Sequence, residues 1–124
     1  DTFKLALIKS GESGTYGAST TNYSDVTGNS DEIGNTGSYS AGGATLANVA
    51  VTGGSGASTA FVDFDNVQFT SATIDANGAI IYNSSDSNKA VAIIDFGSTQ
   101  SSDAGTFTVT MPAPGTGTAI IRIA

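Results

Sequence analysis

The chain has 124 residues with no cysteine, histidine or tryptophan, and its four Lys and Arg against eleven Asp and Glu leave a net charge of −7. That composition excludes disulfides, thiolate metal sites, His-ligated zinc and histidine-based catalysis. The acidic balance argues against a nucleic-acid backbone as partner, because such binding needs clustered cations. No stretch approaches the ~18 apolar residues of a membrane span. With 12% charged residues and abundant Ser, Thr, Asn and Gly, the surface is polar but sparsely charged. Length and composition together predict one β domain over residues 1–124.

In chain order, TFKLALIK (2–9) alternates with period two, Phe3, Leu5 and Leu7 on one face and Thr2 and Lys4 on the other, which predicts a strand inside a sheet. From Ser10 to Gly43 the chain is rich in Gly, Ser and Thr, with Tyr16, Tyr23, Val26, Ile33 and Tyr39 as its sizeable anchors. A long loop is expected here, and loops of that length inside compact domains are commonly functional. Its tyrosines should bury their rings while each hydroxyl finds a partner, and a short helical turn fits near Tyr23–Val26. Asp25, Asp31 and Glu32 make this stretch acidic, but the alternating ligand spacing of an EF-hand is missing and no metal site is expected.

ATLANVAVT (44–52) predicts a second strand, ended by a flexible turn at GGSG, 53–56. In FVDFDNVQF (61–69), Val62 and Phe64 share a parity that Val67 and Phe69 do not, so a bulge or bend is expected at Asp65–Asn66. Asp63 and Asp65 would lie about 7 Å apart on one strand face, a spacing compatible with an acid/base pair or an ion, yet no third ligand or base accompanies them. The Asn77–Gly78 pair predicts a hairpin turn, followed by strands at Ala79–Tyr82 and Ala90–Phe96. Both are apolar on both parities and therefore expected to be central and paired with each other. Asp95 should sit at a strand end. STQSSDAG (98–105) reads as another turn. TFTVTMP (106–112) then points Phe107, Val109 and Met111 inward and its threonines outward, Pro112 and Pro114 stop it, and AIIRIA closes the sheet. The expected fold is all-β, an antiparallel sandwich or jelly roll of about seven to nine strands with one long loop in its N-terminal half.

Tests for chemistry come out negative. Asn22-Tyr23-Ser24 and Asn83-Ser84-Ser85 fit the glycosylation acceptor, but a chain rich in Asn and Ser yields such triplets by chance. There is no phosphate-binding loop. A serine nucleophile would need Lys4, Lys9 or Lys89 as base, and none stands in a G-x-S-x-G context. No catalytic, metal-binding or cofactor-binding residue is assigned, and no enzyme is expected.

The DTFK opening, Tyr39-x-x-Gly42-Gly43-x-x-Leu46, the FVDFD strand with Asp63 and Asp65, and the block carrying Tyr82, Asn83, Asn88, Lys89, Asp95, Phe96 and Gly97 together resemble a family of small tailed-bacteriophage virion proteins. Members often carry a short segment ahead of the DTFK strand. The resemblance covers nearly the whole chain outside Ser98–Gly105. It implies a structural protein of the virion, decorating or cementing the capsid, with the major capsid protein or other virion proteins as partners, a homo-oligomeric state, and no nucleic-acid or membrane partner. A tail, neck, fibre or tube-forming subunit is the alternative, and a host-surface or carbohydrate-binding module the second. Tyr16, Tyr23, Ile33 and Tyr39, the anchors of the long loop, are the expected partner-interface residues.

Overall fold

The structure is a computed structural model that describes residues 1–47, 50–52, 60–110 and 121–123. It is mostly strand, with one short helix. The strands are β1 (Phe3–Lys9), β2 (Ala44–Thr45), β3 (Ala50–Thr52), β4 (Ala60–Asp63), β5 (Val67–Asn83), β6 (Lys89–Val109) and β7 (Ile121–Ile123), and α1 spans Ser24–Gly28. They form an open antiparallel sheet in the order β2-β1-β5-β6 and a three-stranded sheet in the order β3-β4-β7. The chain divides into two compact units, Asp1–Thr45 with Phe69–Phe107, and Leu46–Gln68 with Thr108–Ala124.

In the first unit β1 lies between β2 and β5, as its apolar alternation requires. Its register on β5 runs from Phe3 opposite Asn83 to Ile8 opposite Gly78. Both of its faces are buried: Leu5, Ala6, Leu7 and Ile8 are all covered. The sequence assigned one apolar face, that of Leu5 and Leu7. The second is covered because Ala6 and Ile8 join Ile80, Tyr82 and Val26 of α1 in one cluster, against which Tyr16, Tyr23, Ala90 and Ile93 pack. Residues 10–43 are thus a folded layer on the sheet.

Asn77–Gly78 makes no hairpin turn, because β5 runs straight through it. Ile8 faces Gly78 and Lys9 faces Ala76, which leaves Asn77 as the extra residue of a bulge. Gly78 serves close approach: a Cβ there would stand 2.6 Å from the Ile94 carbonyl oxygen. The turn expected at 98–105 is likewise strand, since β6 continues to Val109. Its serines and threonines bond across to β5, Thr99 Oγ1 to Asn77 at 2.6 Å and Ser102 Oγ to the Ala72 carbonyl at 2.8 Å. Side-chain hydrogen bonding to the neighbouring strand replaces the apolar contact that periodicity looks for.

Ala79–Tyr82 is fully buried in the central strand β5. Its partner Ala90–Phe96 adjoins it but occupies the sheet edge, not the middle, and is only partly covered, with Val91 38% exposed. Asp95 lies within β6, its Oδ1 accepting the Gly97 amide at 2.8 Å where Gly97 adopts φ +79°. Phe107 and Val109 are buried, and Thr106, Thr108 and Thr110 are exposed.

The second unit holds the three short antiparallel strands, Val51 facing Val62 and Val62 facing Ile121. The expected strand 44–52 is divided between the two sheets as β2 and β3, and 61–69 is interrupted at 64–66, around the Asp65–Asn66 pair. Phe64 and Val67 are buried despite opposite parity, as the interruption allows. The GGSG turn, Met111, Pro112 and Pro114 lie outside the described residues.

Candidate interaction surface

Residues 10–43 are fixed to the sheet by two consecutive carboxylates. Asp31 and Glu32 run beside β1, with the Lys9 amide donating to the Asp31 carbonyl at 2.8 Å and the Ile33 amide to the Leu7 carbonyl at 3.2 Å. Consecutive residues of an extended segment project to opposite sides, so the two side chains gather different parts of the loop.

Asp31 has no exposed surface. Its carboxylate accepts the Ser13 amide at 2.9 Å, the Gly14 amide at 2.8 Å, the Ser13 hydroxyl at 3.3 Å and the Tyr16 hydroxyl, and Lys9 Nζ stands 3.9 Å away. Burial alone would raise its pKa, but these donors, Tyr16 foremost, outweigh that and hold it at about 2.

Glu32 accepts the Tyr23 hydroxyl on Oε1, and the Tyr39 hydroxyl at 2.6 Å and the Gly42 amide at 2.7 Å on Oε2. Tyr39 also accepts the Leu7 amide at 3.0 Å, and its ring packs edge-on to Phe69 at 4.8 Å. Tyr23 stacks on Tyr82 with ring centroids 4.4 Å apart, and the Tyr82 hydroxyl donates to the Gly42 carbonyl at 2.5 Å. Burial first and the hydrogen bond to Glu32 second, with its charge adding to them, raise the pKa of Tyr39 and Tyr23 well above the ordinary tyrosine value, and Tyr82 is raised by burial and the Glu32 charge. Tyr16 is raised by burial and by its bond to Asp31.

A second attachment reaches the β5–β6 connection. The Tyr23 amide donates to the Asn88 carbonyl and the Ala90 amide to the Thr21 carbonyl, both at 3.0 Å, while Asn22 Nδ2 donates to the Ser87 carbonyl at 2.8 Å. Asp25 closes the entry to α1 by accepting the Thr21 and Asn22 amides at 3.0 and 3.2 Å, which lower its pKa.

Of the four expected interface residues, the structure buries Tyr39 and Ile33 and half-buries Tyr16 and Tyr23. Their work here is to hold the layer in place. The outward surface includes Ser19, Thr21, Ser24, Asp25 and the run Thr27–Ser30. They frame a shallow polar hollow of about 530 Å³, lined among others by Thr15, Tyr16, Thr20, Asp25 and Asn29. A smaller cavity of about 210 Å³ lies where Glu12, Gly14 and Tyr16 meet Asn77, Ile93 and Asp95. Asn77 orients Glu12 there, donating to Oε2 at 2.8 Å.

Sequence reading grouped Asp31 and Glu32 only as part of an acidic stretch. The available signal was three tyrosine hydroxyls in one loop, each needing an acceptor, beside two adjacent carboxylates. Among the described residues no cluster of three acidic side chains could hold a metal ion. Asp65 is exposed, Asp95 holds the Gly97 amide, and the side chain of Asp63 lies outside the description. Compared with known proteins, the chain matches no protein-family model, no curated protein and no solved structure.

Proposed function

We propose that the protein is a structural component of a bacteriophage virion that works by binding alone, decorating or cementing the capsid. The observation that carries this reading is the preformed outer surface of residues 10–43, locked through Asp31 and Glu32 before any partner arrives. A surface already ordered loses little conformational entropy on docking. Repetition over a symmetric shell then multiplies modest contacts into avidity. The polar, sparsely charged character of the exposed residues suits a water-rich interface with major capsid protein.

The resemblance to small phage virion proteins supports the same reading. Its recurring residues fall on positions the fold needs: Tyr39 and Tyr82 in the hydroxyl network, Gly42 and Gly43 at φ +98° and +82°, Asn88 at φ +60° in the β5–β6 turn. The accompanying fold proposal is a sandwich or jelly roll, supported by two antiparallel sheets that each need apolar cover.

The test is reconstitution. Purified protein added to undecorated capsids should bind in stoichiometric, symmetric positions and raise the temperature at which the shells open. Capsids that neither retain the protein nor gain stability would overturn the reading.

A further inference from the structure

The strand run Ala90–Phe96 is written for the middle of a sheet and found at its edge. AVAIIDF is apolar on both parities, the composition of a strand with neighbours on each side and cover on both faces. Among the described residues β6 is the outermost strand of the sheet. Ala92, Ile93, Ile94 and Phe96 are only half-covered, and among the described residues Val91 is the large apolar side chain left exposed, at 38%. Long apolar edges template pairing with another chain unless they are blunted. This run carries little to blunt it: it contains no proline and no lysine, and its one charge, Asp95, stands near its end and accepts the Gly97 amide.

The opposite side of the same sheet is fully dressed. The outer edge of β1 carries β2 at Lys4 and Leu5, then residues 31–33 at Leu7 and Lys9. Beyond the end of β1, Ser38 and Thr36 bond to Thr70 and Thr73 of β5. Even the start of β6 is capped, by Thr21 and Asn22 at Lys89 and Ala90. The dressing stops there, at the apolar run.

We propose that Val91–Phe96 pairs antiparallel with the same strand of a second copy of this chain, joining two four-stranded sheets into one continuous sheet of eight. The asymmetry of the edges selects this occupant. Head-to-tail pairing, which would build an open filament, needs a second edge of matching length, and among the described residues the other sheet edges are β2, β3 and β7, of two or three residues each. The matching edge is β6 itself, and β6 against β6 is an isologous contact that closes as a dimer. Charge permits it despite the net −7. A two-fold axis through Ile93 sets Val91 against Asp95 of the second copy, so the two carboxylates stand four residues apart along the strands, roughly 13 Å. Ile93 then meets Ile93 and Ala92 meets Ile94 of the second copy, with the two Val91–Asp95 pairs flanking them. The pairing stands or falls independently of any role on a capsid.

The test is sedimentation equilibrium on the full chain over a wide concentration range, with hydrogen exchange on the same samples. The expected result is a species of twice the 12.3 kDa chain mass and backbone amides at 91–96 whose exchange slows as concentration rises. Val91→Glu, at a side chain already exposed and set against Asp95 of the second copy, brings like charges face to face and should give a monomer with unchanged circular dichroism and fast exchange at 91–96, while Val91→Ile should remain dimeric. A wild-type chain that stays monomeric at high concentration would overturn the proposal. So would a dimer that Val91→Glu leaves intact, or exchange at 91–96 that does not respond to concentration.

Discussion

The Tyr39 hydroxyl donates to Glu32 at 2.6 Å and in the same position accepts the Leu7 amide at 3.0 Å, tying the loop carboxylate to the central part of the sheet through one buried oxygen. Tyr39 is 1% exposed and Leu7 fully buried, so the Leu7 amide has no water as a substitute. The same Glu32 carboxylate reaches Tyr23 and the Gly42 amide, and through them the stacked ring of Tyr82. One network therefore decides whether residues 10–43 present an ordered surface.

Tyr39→Phe keeps the ring and deletes the oxygen. The Leu7 amide loses its acceptor and Glu32 loses a donor, both in a covered site, which should cost about 1–3 kcal/mol. Urea unfolding should show a lower midpoint with an unchanged slope, since the surface exposed on unfolding stays the same. A midpoint equal to wild type would mean that water replaces the hydroxyl.

Asp31 sets the acid limit. Its folded pKa, about 2, lies below the ordinary 3.8, so the unfolded chain takes up its proton first as pH falls. The stabilisation is complete above about pH 4 and disappears as pH drops from there toward 2. Asp31→Asn offers one acceptor where two were used and brings an amide N–H₂ toward the donors of Ser13, Gly14 and Tyr16. It should lose roughly 1.5–3 kcal/mol at neutral pH, the range for hydrogen bonds to charged groups, and flatten the acid limb. Melting temperature followed from pH 7 to 2 separates the two effects.

The alkaline limit has the opposite sign. Tyr39 and Tyr23 are raised above 10.0 by burial and by the hydrogen bond to Glu32 and its charge, so the unfolded chain ionises first as pH rises. The stability that their neutral hydroxyls supply is complete below pH 10 and lost above it. Ultraviolet titration should show these phenols ionising only together with unfolding, whereas hydroxyls that titrate in the still-folded chain at their ordinary value would refute the network.

Glycine substitutions should sort by what surrounds them. Gly43 has φ +82°, and a Cβ would strike the Leu5 carbonyl and Ala6 Cα of β1. Gly11 has φ +69° with open space around it. Gly11→Ala should cost only the left-handed backbone, about 1–2 kcal/mol. Gly43→Ala must also push β2 away from β1, and should cost clearly more and loosen the exchange of β1 amides. Equal losses would mean that the loop gives way without strain.

The reach of the sequence is clearest at particular residues. β1, the buried run Ala79–Tyr82 and the half-buried Phe107–Val109 were legible, because alternation and continuous apolarity report burial directly. Asn77–Gly78 misled because the pair favours turns only when the chain is free to reverse. Here Lys9 and Ala76 continue the ladder past it, and the extra residue is absorbed as a bulge. Ser98–Gly105 looked like a turn because its side chains are small and polar, while their hydroxyl bonds to β5 carry no periodic signature. The Ala90–Phe96 run was read as central, and in the single chain it is an edge. Asp31 and Glu32 were invisible as keystones, since their partners lie in other turns of the loop and no local spacing announces them.

The Tyr23–Tyr82 stack is the last link of the network, and it can be measured without disturbing the rest. The rings are parallel within 8° at 4.4 Å, joining the loop to the central strand β5 by an aromatic contact as well as by hydrogen bonds. A double-mutant cycle with Tyr23→Leu and Tyr82→Leu isolates the pair, and the expected coupling is about 0.5–1.5 kcal/mol. Because Tyr23 and Tyr82 also serve Glu32 and Gly42, the Leu cycle is repeated on a background carrying Tyr23→Phe and Tyr82→Phe, which lacks both hydroxyls from the start and keeps the stack. Coupling that survives in the Phe–Phe series belongs to the rings. Coupling that vanishes there belongs to the Glu32 network, and would shift the anchoring of residues 10–43 from aromatic packing to the carboxylate alone.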